Sequence, residues 1–95
     1  MSYEIVLRAR ARRAIDRAAD WYHKKNEQAA TSFLHEVGRS LQRIGENPNL
    51  YPIVRADLRR AVVPGFPYSL LYSIRKTKVV VTNCVHSSRD PRHWR

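Results

Sequence analysis

The chain has 95 residues, enough for one domain with its own core and too few for two. Its 18 Lys and Arg against 8 Asp and Glu give a net charge of +10. The single cysteine excludes a disulfide framework and a thiolate metal cluster. Because no apolar run is long enough to serve as a signal peptide or to cross a bilayer, we expect one cytoplasmic domain over residues 1–95, away from membranes.

The first predicted elements are a short strand and an amphipathic helix. Tyr3–Leu7 is rich in β-branched and aromatic residues, which predicts a strand. From Ala9 onward small and apolar residues recur at helical spacing, namely Ala11, Ile15, Ala18, Ala19 and Tyr22. Arginines crowd the start of this helix, where the helix dipole disfavours cations, at Arg8, Arg10, Arg12 and Arg13.

A second helix is predicted to begin after Asn26, a residue that often caps helix N-termini. Its apolar stripe follows three-and-four spacing through Ala30, Phe33, Leu34, Val37, Leu41 and Ile44. The helix should end at Asn47–Pro52, because each proline there disfavours helix at the preceding residue. So short a break between the two helices predicts an antiparallel helical hairpin.

The second half of the chain has the pattern of strands. Ala61–Val63 leads into a turn at Pro64–Pro67, Tyr68–Arg75 forms the next strand, and Lys76–Thr77 makes a hairpin into Lys78–His86. The expected fold is therefore α+β in the order βααβββ. We expect the helical hairpin to pack on one face of a mainly antiparallel four-stranded sheet.

The period of two along the last strands divides their side chains between the two faces of the sheet. The more apolar sets are predicted to face the helices, namely Leu70, Tyr72 and Ile74 with Val79, Val81, Asn83 and Val85. The opposite face is predicted to be open and partly polar, carrying Ser69, Ser73, Arg75, Thr82 and His86.

Several of these features occur together in one known family, in the same order and spacing. They are the Leu58-Arg59-Arg60 run, the Phe66-Pro67-Tyr68-Ser69-Leu70-Leu71-Tyr72 strand and the closing Val85-His86-Ser87-Ser88-Arg89-Asp90-Pro91-Arg92-His93-Trp94 segment. With the early strand and the two helices, the whole chain resembles the RelE/ParE superfamily of type II toxin–antitoxin toxins. Within it, the chain is most similar to the ParE-like, or plasmid stabilisation, branch.

The resemblance implies a basic cytoplasmic toxin that inhibits growth and is neutralised by a ParD-like antitoxin whose flexible segment wraps around it. ParE-like toxins that have been studied inhibit DNA gyrase, whereas RelE-like toxins cleave mRNA in the ribosomal A site. A third possibility is a degenerate toxin that retains only antitoxin binding. All three functions are compatible with the same fold, so only the site residues can distinguish them.

Ribonuclease chemistry requires a base, an acid and cations around a phosphate. This chain offers six candidate residues for these roles, with the first four as the main participants: Arg59, Arg60, Arg75, His86, His93 and Tyr68. However, Ser69 stands where ribonuclease relatives commonly carry arginine, and Ser87-Ser88 stands where they carry tyrosine or histidine and tyrosine. The residues therefore favour a toxin that is not an enzyme and that inhibits gyrase, with the ribosome-dependent ribonuclease as the alternative.

The basic second half of the chain is the predicted target-binding surface. Residues 1–54 carry a net +3 and residues 55–95 a net +7. The side chains assigned to the target are Arg59, Arg60, His86, Arg89, Arg92 and Trp94. The antitoxin is predicted to contact Arg12, Arg13, Trp21 and Tyr22. No cofactor or metal is expected, since the four histidines are scattered along the chain.

Overall fold

The computed structural model describes residues 2–88 as two helices packed on one face of a mixed sheet. The elements are β1 (Glu4–Leu7), α1 (Ala9–Lys25), α2 (Glu27–Glu46), a 3-10 turn (Pro48–Leu50), β2 (Ile53–Arg55), β3 (Leu58–Val62), β4 (Tyr68–Arg75) and β5 (Lys78–His86). The sheet order is β1-β5-β4-β3-β2, with β1 parallel to β5 and every other pair antiparallel. The predicted α+β class is confirmed. Neither described helix combines the length and apolar content that a bilayer span requires.

The sheet has five strands, whereas the sequence predicted four. The additional strand, β2, has only three residues and forms an edge of the sheet against β3. All three of its residues are exposed, so no alternation of apolar and polar side chains marks it. A tight turn at Ala56–Asp57 joins it to β3, with Ala56 in the left-handed region at φ 50°.

The junction between the helices is as the sequence predicts. The Oδ1 atom of Asn26 accepts hydrogen bonds from the backbone N–H of Gln28 (2.8 Å) and of Ala29 (3.4 Å). These bonds satisfy two of the amides that a helix N-terminus leaves without partners. The predicted N-cap is confirmed, and the single residue between the helices holds them as neighbouring antiparallel elements.

The core lies between the helical hairpin and the sheet. From α1 it receives mostly alanines, such as Ala11, Ala14 and Ala18, whose small side chains let the helix lie close to β5. From α2 it receives larger residues, among them the fully buried Phe33 and Ile44. The sheet contributes side chains from its central strands, namely Ala61, Leu70, Tyr72, Val79, Val81 and Cys84.

A β-bulge in β5 corrects the predicted division of the sheet faces. Leu71 pairs with Asn83 and Tyr72 pairs with Val81, so Thr82 is the extra residue. Beyond Thr82 the alternation is therefore shifted by one. Cys84 belongs to the helix-side core. The helix-side predictions for Asn83 and Val85 are wrong, because Asn83 pairs with Leu71 and Val85 packs with Leu71 on the other face.

The same shift moves His86 to the helix side, where its ring contacts the ring of Tyr68, a residue packed against the helix-side core. The prediction that His86 belongs to the open face is therefore wrong. The predicted openness of that face is also wrong for Ser69 and Ser73, which are each only 4% exposed. A run of β-branched residues before the bulge gives no sign of where the register changes.

Gly45 of α2 lies close to Ile5 of β1, and it allows a contrast between substitutions. The Tyr3 N–H donates to the Gly45 carbonyl at 2.8 Å, and an added Cβ would lie 3.3 Å from Ile5 Cδ1. We expect Gly45→Ala to stay within about 1 kcal/mol of the parent, because helix propensity offsets the tight contact. Gly45→Val should lower the free energy of unfolding by about 1–3 kcal/mol through overpacking.

Urea denaturation of both variants checks this expectation. The matched control is Gly38→Ala in the same helix, where an added Cβ meets nothing within 4 Å. This control should gain up to about 1 kcal/mol. Equal stability of the Gly45→Val and Gly38→Ala variants would contradict the close approach.

Candidate functional site

A pocket of about 490 Å³ opens between α1 and the C-terminal end of β5. Its wall on the α1 side includes Arg10, Arg17 and Trp21, and its wall on the sheet side includes Tyr68 and His86. On α1 these three residues are spaced seven and four apart, which places them along one stripe of the helix. The pocket thus combines two cations, several aromatic rings and one histidine.

The aromatic wall of this pocket is organised by Tyr22. Its ring centroid lies 5.0 Å from that of Trp21, 5.3 Å from Phe33, 5.2 Å from Phe66 and 6.3 Å from Tyr68. Most of these contacts are edge-to-face, an arrangement that stabilises aromatic pairs beyond their buried area. Burial raises the pKa of Tyr22, and the neighbouring Tyr68 raises it further. Tyr22 is therefore a half-buried support residue.

Trp21 is the exposed member of the same cluster. It is 54% exposed, packs edge-on against Tyr22, and has the Lys25 ammonium 5.3 Å from its ring centroid. A half-exposed tryptophan held on a firm base is typical of a residue that anchors a partner.

His86 ends β5 at the sheet side of the pocket. Its Nδ1 accepts a hydrogen bond from the Ser88 N–H (3.0 Å) and lies 2.8 Å from Ser88 Oγ. Because a backbone N–H donates to Nδ1, the neutral ring carries its proton on Nε2. The ring also meets Tyr68 edge-on at 5.0 Å. These contacts orient the imidazole and make Nε2–H its remaining hydrogen-bond donor.

The start of α1 is strongly basic. Its N-cap position, Arg8, makes no side-chain capping bond, and the first turn contains no acidic residue. Arg12 and Arg13, the predicted antitoxin contacts, are both exposed there. Cations at a helix N-terminus face the positive end of the dipole, so the arrangement costs stability on its own and favours an acidic partner.

Arg59 anchors a loop. It pairs with Tyr72 across β3 and β4, and its Nη1 donates to the carbonyls of Tyr51 (2.7 Å) and Asn49 (3.3 Å). The Tyr72 hydroxyl donates to the Pro48 carbonyl at 2.6 Å. Together these two side chains hold the segment that connects α2 to β2.

Arg59→Ala should therefore act on stability. Removing the guanidinium leaves two carbonyl groups without their donor, and we expect the free energy of unfolding to fall by about 1–2 kcal/mol. Thermal and urea unfolding check the value. Arg75→Ala is the matched control, since both Arg75 and its partner Asp57 are more than half exposed and the change should be smaller. A larger loss for Arg75→Ala would contradict the assignment.

Arg60 and Arg75 lie away from the pocket. Arg60 pairs with Leu71 in the ladder, which puts it on the sheet face opposite the helices. Arg75 donates to Asp57 at the far end of β4, and this bond is the main reason why the pKa of Asp57 is lowered. Ser73 Oγ completes that cluster with a 3.3 Å bond to the same carboxylate.

The ribonuclease candidates are therefore only partly brought together, since Tyr68 contacts His86, Arg75 lies far from it, and His93 is outside the described residues. Tyr68 lies opposite His86 and Arg75 lies opposite Lys78, so seven residues of β4 separate Arg75 from the level of His86. At the rise of a strand this is about 23 Å. Arg59 and Arg60 point to opposite faces of the sheet. Among residues 2–88, no three His, Cys, Asp or Glu side chains form a metal-binding group.

Three predicted target-binding residues, Arg89, Arg92 and Trp94, lie outside the described residues. Two residues that sequence reasoning did not assign to a site, Arg10 and Arg17, line the pocket. Arg10 and Arg17 are seven residues apart, as are Ala14 and Trp21, and all four lie on one stripe of α1. This spacing is the feature of the sequence that could have identified the pocket wall. It was hidden by the general excess of arginine in this helix.

Comparison with known proteins gives a consistent result. A family model described as the ParE toxin of type II toxin–antitoxin systems, parDE, matches residues 5–91. The chromosomal ParDE system of P. aeruginosa aligns with a TM-score of 0.79 at 11% identity, covering 90% of this chain and 96% of that one. No curated protein is significantly similar in sequence.

A second structure, the toxin–antitoxin complex RelBE2 from Mycobacterium tuberculosis, aligns with a TM-score of 0.61 at 24% identity. The alignment covers 90% of this chain and 99% of that one. At these identities the two structures support the fold alone. The family match extends from β1 past the end of β5, and the chain belongs to the ParE family, the toxins of type II toxin–antitoxin systems.

Proposed function

We propose that this toxin inhibits DNA gyrase in the cytoplasm, and so arrests growth, without acting as an enzyme. The observation that carries the proposal is the separation of the ribonuclease candidates. Arg75 is about 23 Å along the ladder from His86. General acid–base catalysis requires its groups within hydrogen-bond reach of the reacting atoms, and Arg75 and His86 do not share such a position.

The proposed target contacts lie in the basic second half of the chain: His86 on the helix side of the sheet, Arg60 on the opposite face, and Arg89, Arg92 and Trp94. His86 supports this choice because its ring is oriented by Ser88 and Tyr68 at the mouth of the pocket. Arg59 contributes by fixing the loop before β2. A basic surface also attracts the acidic or DNA-bound regions of a macromolecular target.

We further propose that a ParD-like antitoxin neutralises the toxin by docking on α1. The two solved neighbours are toxin–antitoxin systems by their descriptions. Arg12 and Arg13 would contact acidic residues of the antitoxin, and Trp21 would anchor it, with Tyr22 supporting the indole from behind. Reversal of both arginines to glutamate should weaken antitoxin binding, and unchanged affinity would remove this contact from the proposal.

Pulse labelling after expression without the antitoxin tests the target. Gyrase inhibition should stop thymidine incorporation into DNA before leucine incorporation into protein falls. An early collapse of leucine incorporation would identify a ribosome-directed ribonuclease instead. Continued growth with both labels unaffected would mean that the chain retains only antitoxin binding.

A further inference from the structure

The outer face of the sheet, opposite the helices, is buried although no helix within residues 2–88 lies on it. Both helices pack with Leu70, Tyr72 and Val81 on the other face. Side chains of one sheet stand roughly perpendicular to it, so an uncovered face leaves their tips open to water. Six outer-face side chains of the central strands are nevertheless at most 8% exposed, namely Ser69, Leu71, Ser73, Val80, Asn83 and Val85. Another part of the chain must therefore cover this face.

The position and length of the C-terminal segment allow it to provide this cover. β5 ends one residue after Val85, and the Ser87 N–H donates to the Pro67 carbonyl at 2.8 Å, so the chain leaves the sheet beside the buried face. Residues 89–95 follow, outside the described part of the chain. Seven extended residues span about 23 Å, enough to cross several strands. Met1, which precedes β1, is a single residue and too short to cover the face.

The composition of this segment matches the face. On the face, Leu71 and Val85 form an apolar cluster of their own, which we call the outer cluster. The segment reads Arg-Asp-Pro-Arg-His-Trp-Arg, and Trp94 is its one large apolar side chain. Burial against such a cluster stabilises a tryptophan near a chain end. Ser87–Ser88 and Asp90–Pro91 are residues that favour turns, which allows the chain to reverse its direction.

We propose that residues 89–95 fold back across the outer face of the sheet, with Trp94 packed on the outer cluster. This arrangement would place Arg89 and Arg92 on the same face as Arg60, so that three of the proposed target contacts form one basic surface. That consequence rests on the proposed function, whereas the folding back of the segment does not. Trp94 is then a positioning residue that holds the two arginines on this face.

The first test is nuclear Overhauser spectroscopy of the isolated, isotope-labelled toxin. Cross-peaks should join the indole protons of Trp94 to the methyl groups of Leu71 and Val85, because packed side chains approach within about 4.5 Å. The methyl groups of Leu34, exposed on α2, are the internal control and should show no cross-peak to Trp94. Absence of the expected cross-peaks overturns the proposal. Cross-peaks that arise only between labelled and unlabelled molecules would assign the cover to a second copy and overturn it as well.

The second test is a double-mutant cycle on the unfolding equilibrium constant, measured by urea denaturation. If Trp94 packs on Val85, the effects of Trp94→Ala and Val85→Ala should depart from multiplying independently by at least about threefold. In the matched cycle of Trp94→Ala with Leu34→Ala, the effects should multiply to within about twofold. Independent effects in both cycles would contradict the contact. The first test uses the unaltered chain, so it decides the question even if a variant does not fold.

Inhibition of gyrase supercoiling tests the role of the segment in target binding. Trp94→Ala should raise the toxin concentration for half inhibition at least about tenfold, whereas Trp94→Phe should stay within about threefold of the parent. Arg89→Glu with Arg92→Glu should also raise it at least about tenfold. The matched control, Lys24→Glu with Arg39→Glu, makes the same charge change at exposed sites on the helices and should raise it less than about threefold.

The outcomes separate this inference from the proposed function. If the cross-peaks are present but the parent toxin does not inhibit gyrase, the proposed function falls and the folding back of the segment stands. If gyrase is inhibited and both charge-reversed doubles inhibit it equally well, the outer face is not the target surface, and that consequence is overturned.

Discussion

Phe33→Ala should lower the free energy of unfolding by about 3–5 kcal/mol, a large part of the 5–15 kcal/mol typical of a small domain. Phe33 is fully buried, and its ring lies 5.3 Å from Tyr22, 5.3 Å from Phe66 and 5.4 Å from Tyr68. The loss combines the transfer free energy of the ring, the cavity left behind and the edge-to-face contacts. Urea denaturation followed by circular dichroism measures it.

The control for this prediction is the next residue along α2. Leu34 is 47% exposed on the outer side of the helix, and Leu34→Ala should change the free energy of unfolding by less than about 0.5 kcal/mol. Comparable losses for both variants would contradict the placement of the aromatic cluster. The cluster also supports the pocket wall, so even a folded Phe33→Ala variant should bind the antitoxin less tightly.

Alkaline pH should unfold the domain through two buried groups. Burial raises the pKa of Tyr72 to about 12, an effect that the nearby Arg59 partly opposes, and burial raises the pKa of Cys84 to about 12. Their ordinary values are 10.0 and 9.0. Both groups are therefore kept protonated in the folded state. Their contribution to the free energy of unfolding is complete below the pKa that each group has in the unfolded chain. It is lost as the pH rises toward about 12.

Each pKa unit corresponds to about 1.4 kcal/mol, so the free energy of unfolding should fall steeply between pH 9 and 12. In the Cys84→Ala variant, the free energy of unfolding should decrease less steeply above about pH 9. In the Tyr72→Phe variant, it should decrease less steeply above about pH 10. The slopes are compared because each substitution also alters stability at neutral pH, notably by removing the bond from Tyr72 to the Pro48 carbonyl. Identical slopes in the parent and both variants would contradict the burial of these groups.

Elements with strong local signals were predictable from the sequence. The helix N-cap at Asn26 and the β4–β5 hairpin turn at Lys76–Thr77 were predicted because capping and turn residues act over a few positions. Lys76 takes the positive φ of 56° that such a turn requires. Most of the core stripe of α2 followed from its helical period, with Phe33, Val37 and Ile44 buried, but the prediction was wrong for Leu34, which is 47% exposed.

Features that depend on non-local pairing were not predictable. The bulge at Thr82 follows from how β4 and β5 pair, and nothing in Val79–Val81 marks it. Its consequence was large, because a shift of one residue moved His86 from the predicted open face to the helix side. The edge strand β2 likewise forms only because β3 lies beside it.

The candidate site was predictable in part. The basic helix start and Trp21 were identified from charge and residue type. The pocket was not, since it arises where β1 leaves the sheet and α1 crosses over the end of β5. Arg59 was assigned to target binding because arginine often binds partners. In the structure it instead donates hydrogen bonds to backbone carbonyl groups within the fold.

We propose that this ParE-family toxin inhibits gyrase without cutting RNA. The most direct measurement incubates the purified toxin with gyrase, relaxed plasmid and ATP, beside a parallel reaction containing ribosomes programmed with mRNA. Supercoiling should be lost at toxin concentrations near that of gyrase, and the mRNA should remain intact. Unimpaired supercoiling together with position-specific mRNA cleavage would contradict it.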